Sequence, residues 1–133
     1  KASAYIANLL KLKAGDPVIY IDRIQSFAGQ PVVFEEIWLS SVRFKGLDLE
    51  ALNAWYGPLY ALYESQYATH MVRAEEKIKA LAADEALAKH LQLTIGAPLL
   101  SVERVAFTYG SKPVEIRHAR YDTSTQHYEN KLN

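Results

Sequence analysis

The chain has 133 residues, with 15 Lys+Arg against 15 Asp+Glu, four His, one Met and no Cys. That length suits one domain with its own core, and the absence of cysteine removes disulfides, thiolate metal sites and thiol nucleophiles. Zero net charge argues against a nucleic-acid surface, and no apolar run approaches the ~20 residues of a membrane-spanning helix.

In chain order, residues 7–14 read as the end of a helix closed by Gly15. Pro17 forbids its continuation and opens an extended run over 18–25 rich in β-branched residues. Ala28, Gly29, Gln30 and Pro31 form a turn before a second extended run over 33–39. Asp48 is the expected N-cap of a helix over 49–55, with Glu50 in its first turn. Gly57 breaks the chain, and Pro58 is expected at the first helical position of 59–66. Residues 71–83 fit two patterns: their Glu, Lys, Ala and Leu favour helix, whereas Val72, Ala74, Ile78 and Ala80 fit a period of two. Propensity alone predicts a helix there. Asp84 starts a helix over 85–93, Gly96 and Pro98 open another extended run, and Tyr109 to Pro113 turns the chain into a strand over 114–121. The tail, 124–132, alternates weakly and is expected to add a last strand.

Shifted by 81 residues, the chain resembles itself: Ala7, Leu10, Leu12, Gly15, Pro17 and Arg23 fall on Ala88, Leu91, Leu93, Gly96, Pro98 and Arg104. Each copy reads as helix, strand, hairpin, strand. Two copies are too few for a solenoid, so the repeat predicts one antiparallel sheet with internal pseudo-symmetry, backed by helices: an α+β fold.

The four His stand at 70, 90, 118 and 127, with no helical i,i+4 pair. Glu115 and His118 have carboxylate–histidine spacing, but on a strand they point to opposite faces. No metal or cofactor is therefore expected, and neither a nucleophile elbow nor a phosphate-cradling glycine loop is present. What stands out is charge on apolar strand faces. Period two places Arg23 and Gln25 with Ile19 and Ile21, Glu35 with Val33 and Ile37, and Glu115, Arg117 and Tyr121 with Ala119. An ion on such a face must be paired or meet a ligand, so two readings stay open: a structural ion-pair network, or a pocket in which arginine takes an anion and carboxylates take hydroxyls or amines. Arg104 is expected to be structural. The aromatics Trp38, Trp55, Tyr56, Tyr60 and Tyr63 are expected mainly in packing, with one or two lining a site.

These residues also resemble a known family. Leu10, Gly15, Pro17 and Arg23, then Gly29, Pro31 and Glu35, then Leu59 and Tyr60, and finally Gly96, Pro98, Arg104, Pro113 and Glu115 follow the order and spacing of the UTRA domain. That domain is the effector-binding half of GntR-type bacterial transcription regulators of the histidine-utilisation-repressor subfamily. The resemblance covers nearly all of residues 1–133 and implies a chorismate-lyase-like antiparallel sheet, with 71–81 as a strand. It further implies an upstream winged helix-turn-helix DNA-binding domain, a cytoplasmic homodimer without membrane contact, and a small-molecule effector. In members that sense amino-sugar phosphates, an Arg-x-Arg pair, two glutamates, a tyrosine and a Ser-Leu-Tyr motif form the pocket. Here these positions hold Arg23 and Gln25, Glu35, Glu115, Tyr121, and Pro58 with Leu59 and Tyr60, so one guanidinium and one hydroxyl are lost. Each charge-assisted bond is worth about 1.5–3 kcal/mol, which shifts the expected effector from a sugar phosphate toward a small carboxylate or other anionic metabolite. Strand parity adds Arg117 to the expected site. Two rivals remain: a chorismate-lyase-like enzyme on an aromatic anion, and a dimerisation module insensitive to ligands.

Overall fold

A computed structural model describes residues 1–132. The elements, in order, are α1 (Ala4–Leu10), β1 (Val18–Phe27), β2 (Gln30–Ser40), α2 (Leu49–Ala54), α3 (Leu59–Tyr67), β3 (Arg73–Ala82), α4 (Glu85–Leu91), β4 (Pro98–Thr108) and β5 (Lys112–Asp122). A short 3-10 turn, Tyr109–Ser111, joins the last two strands. All strand pairs are antiparallel, in the order β1-β2-β5-β4-β3.

The internal repeat is carried by the backbone. Ser3 and Asp84 cap α1 and α4 by accepting from the amides of Ile6 and Leu87. Lys11 and Gln92 close the two helices at φ 55° and 56°. The Leu12 amide donates to the Ala7 carbonyl as that of Leu93 does to Ala88, both at 2.8 Å, and Gly15 and Gly96 turn the chain at φ 88° and 90°. The hairpins β1–β2 and β4–β5 lie side by side with β2 against β5, so a pseudo-twofold axis runs between the two central strands and β3 is an addition at one edge. Ala28 and Gly29 both have positive φ, as a two-residue turn matched to the strand twist requires.

Residues 71–83 are not helical: Arg73–Ala82 pairs along its whole length with β4. The charged composition that mimics a helix is that of an edge strand exposed on both faces, where Lys and Glu discourage further strand pairing. The tail 124–132 forms no strand; it crosses the sheet irregularly, with Tyr128 donating to Glu76. Pro58 sits one place before α3 in an extended conformation, and its carbonyl accepts from Ala61 and Leu62. Asp48 caps α2 through the Ala51 amide as expected.

α1 and α4 cover one face. Ile6, Ala7 and Leu10 pack on Ile116, while Leu87, Ala88 and Leu91 pack on Phe34 and Leu99. On the other face, Leu52, Leu59, Leu62 and Tyr63 from α2 and α3 meet Ile21, Ile37, Leu39 and Phe44. Burying each such side chain is worth about 1.5–3 kcal/mol. This second apolar cluster draws no residue from β3 or β4, leaving the middle of that face to polar side chains.

The α1/α4 face holds its own polar pairs, among them His118 Nε2 with Ser101 Oγ at 2.7 Å and Glu36 with Tyr20 and Arg120. Burial, and then the nearby Arg120 charge, hold the His118 pKa below that of an exposed imidazole, against the opposing pull of Glu103 and Glu36. A histidine with a depressed folded pKa adds stability that is fully present above its unfolded value, about 6.5, and is lost as pH falls through the folded value. Melting temperature should therefore fall between pH 7.5 and 5.5, and fall less in His118→Gln. Equal losses in both proteins would place the proton elsewhere.

Candidate ligand-binding site

Antiparallel register aligns side chains in rows across the α2/α3 face. One row runs Ile21, Ile37, Arg117, Arg104, Glu76, and the next runs Arg23, Glu35, Ala119, Val102, Ile78. Directly opposed residues share a face, so the ions that sequence parity placed on separate strands converge here.

Arg23 Nε donates to Glu35 Oε1 at 2.7 Å, and the other Glu35 oxygen lies 3.8 Å from Arg117 Nη1. Arg117 Nη2 donates to Glu115 Oε2 at 2.8 Å, which also accepts from the Tyr63 hydroxyl at 2.5 Å. Arg104 bridges Glu76 Oε2 at 3.0 Å and the Tyr60 hydroxyl at 3.1 Å. The Tyr128 hydroxyl closes the chain of contacts on Glu76 Oε1 at 2.6 Å. The guanidinium carbons of Arg117 and Arg104 lie 5.5 and 5.9 Å from the Tyr60 ring centroid, within cation–π range.

Three arginines thus face three glutamates, and two of those glutamates, Glu35 and Glu115, are buried. Burial would lower the Arg117 pKa, but Glu115 and Glu35 more than offset it and raise it above the ordinary arginine value. Burial, and then the Glu115 charge, raise the pKa of Tyr60 and Tyr63; burial and then Glu35 raise that of Tyr121. The hydrogen bond to Glu76, with burial second, pushes Tyr128 up to about 12. All four phenols are therefore protonated near neutral pH; Tyr63 and Tyr128 already spend their O–H groups on Glu115 and Glu76, which leaves those of Tyr60 and Tyr121 as donors. Glu115 Oε1 and Arg117 Nε are buried without a hydrogen-bond partner, an uncommon state for such groups.

Two cavities open in this network. One of about 110 Å³ lies among Glu35, Glu76, Arg104, Arg117, Tyr121 and Tyr128. The other, of about 270 Å³, lies among Arg23, Pro58, Tyr60, Arg104 and Arg117. Arg104 and Arg117 line both.

Of the residues expected from sequence, Arg23, Glu35, Tyr60, Glu115, Arg117 and Tyr121 come together. Glu115 lies beneath the cavities and positions Arg117 and Tyr63. Gln25 does not join them: it is exposed, lines neither cavity and makes no side-chain hydrogen bond among the described residues. Sequence assigns Arg104 to structure and Tyr63 to the packing aromatics, and it singles out neither Glu76 nor Tyr128. The repeat carried a signal for Arg104, the counterpart of Arg23. Among the described residues no group of three or more metal-ligating side chains could hold a metal ion, and Glu115 and His118 point to opposite faces.

An α+β domain with a five-stranded antiparallel sheet and a polar, arginine-rich network enclosed on one face is the kind built to bind a small molecule. Residues 1–127 match the UTRA domain, and the chain belongs to that family. The ligand-binding domain of a Bordetella bronchiseptica protein assigned to the GntR family of transcriptional regulators is 44% identical, with TM-score 0.94 over 100% of this chain and 84% of that one. The effector domain of PhnF from Mycobacterium smegmatis shares the fold at 21% identity, with TM-score 0.84 over 99% of this chain and 80% of that one. An HTH-type transcriptional repressor of Salmonella typhimurium is 30% identical over 92% of this chain and 49% of its own length. The chain spans about half the length of the curated relatives it matches. The domain is therefore regulatory and effector-binding rather than catalytic, which removes the enzyme reading. No described helix is long and apolar enough to cross a membrane.

Proposed function

We propose that this domain senses a small carboxylate-bearing or other anionic metabolite in the cytoplasm, and that binding changes the operator affinity of the regulator it belongs to. The observation that carries the reading is the charge-balanced network of Arg23, Arg104 and Arg117 with Glu35, Glu76 and Glu115 around two cavities. Arginines suit a carboxylate, and the glutamates suit an amine or hydroxyl on the same molecule, as in an amino acid. Pro58 lines the larger of these cavities without a hydroxyl or an amide donor, which disfavours a sugar phosphate.

The rest of the proposal follows the family: an upstream winged helix-turn-helix domain, a homodimer, and a chorismate-lyase type of fold. Effector would favour one dimer arrangement, spacing the DNA-binding domains well or badly for their half-sites. A tenfold change in operator affinity needs only about 1.4 kcal/mol of coupling.

A thermal-shift screen of amino acids, organic acids, urocanate-like catabolites and sugar phosphates tests this. A ligand at 100 times its Kd adds about 2.7 kcal/mol to the native state. A carboxylate is expected to raise the melting temperature, with affinity about tenfold weaker in Arg23→Ala. Response to sugar phosphates alone would overturn the ligand class, and response to nothing would favour a ligand-insensitive dimerisation module.

A further inference from the structure

A second cleft, of about 880 Å³, lies where β2 ends and β5 begins, beneath the C-terminal ends of α1 and α3. Three cations line it, Lys11, Arg43 and Lys112, together with the apolar surfaces of Leu12, Tyr67 and Val114; no carboxylate does. None of the three cations forms an ion pair among the described residues. Among the described residues neither lysine makes a side-chain hydrogen bond to a helix-end carbonyl, and Arg43 spends one N–H on Thr69 Oγ1 at 3.3 Å. In a chain of zero net charge this is a local excess of uncompensated positive charge, focused by a concave wall.

The internal repeat shows that the lysine is not needed for the turn it occupies. Lys11 and Gln92 close equivalent helices with the same left-handed backbone, so a neutral residue serves that geometry equally. Lys11 and Ala68, the left-handed caps of α1 and α3, bring the ends of both helices to the cleft, and Ser111 brings the β4–β5 connection there.

We propose that this cleft is a second ligand site, separate from the network around Arg117, which takes a small organic anion with an apolar body. Arg43 offers its free N–H groups to a carboxylate, sulfonate or phosphate head, Lys11 and Lys112 add charge, and Leu12, Tyr67 and Val114 receive the body. The volume lies in the usual range for small-molecule sites, about 300–1,000 Å³.

The test uses anilinonaphthalenesulfonate as the probe and amide proton–nitrogen correlation spectra of this domain as the readout. Shifts should centre on the amides of Arg43, Ala68, Gly110, Ser111 and Lys112. Affinity should fall at least tenfold in the double variant Arg43→Gln/Lys112→Gln and stay unchanged in Lys89→Gln, an exposed α4 lysine outside the cleft. The neutral analogue N-phenylnaphthylamine should bind at least tenfold more weakly. Shifts centred elsewhere, equal binding by the double variant, or equal binding of the neutral analogue would each overturn the proposal; well-dispersed spectra of each variant confirm that the fold is retained.

Discussion

Glu115→Ala should destabilise the domain by about 3–5 kcal/mol, the cost of breaking a buried ion pair by removing one partner. Glu115 is 0% exposed, and its one carboxylate oxygen holds both Arg117 and Tyr63. Without it, the partly buried Arg117 guanidinium keeps only the 3.8 Å approach to Glu35, and the Tyr63 hydroxyl loses its acceptor. Urea unfolding of wild type and variant measures the loss. Replacing the pair together, as Glu115→Leu/Arg117→Met, should recover part of it, because apolar substitution of both partners removes the unpaired charge. A loss under about 1 kcal/mol in the single variant would mean that the network does not carry the packing of α3 on the sheet.

Arg104→Ala should weaken binding of the effector identified by screening about 100-fold, which is about 2.7 kcal/mol. Arg104 lines both cavities and holds Glu76 and Tyr60 in place, so its removal takes away a charge-assisted donor and leaves Glu76 without its cation. Stability should change far less than in Glu115→Ala, since Arg104 and Glu76 are partly exposed. Isothermal titration on folded variant protein separates the two effects. Unchanged affinity would return Arg104 to the structural role its sequence context suggested and would confine the site to the cavity edge at Arg23.

The elements that sequence described well are those with strong local signals. Asp48 and Asp84 are short acceptors placed before helices, Gly15 and Gly96 hold left-handed turns, and Pro17 and Pro98 stand at the starts of β1 and β4; each acts within a few residues of itself, whereas the helices themselves end earlier than expected, at the left-handed Lys11 and Gln92. Local signals misled where a neighbour decides conformation. Residues 73–82 carry helix-forming composition yet become a strand, because β4 offers an edge whose pairing outweighs propensity. The tail alternates but pairs with no strand among the described residues.

The site divides in the same way. Alternation alone puts Arg23, Glu35, Glu115 and Arg117 on otherwise apolar strand faces, so sequence by itself determined that these ions must be paired or bound, and the repeat determined that the sheet has two related halves. Tertiary structure decided which strands lie side by side. The order β1-β2-β5-β4-β3 brings Arg104 level with Arg117 and Glu76 level with Arg104, and it leaves Gln25 at the exposed edge. Those pairings join residues far apart in the chain, and their energy exists only once the strands are in register; no window of sequence contains it.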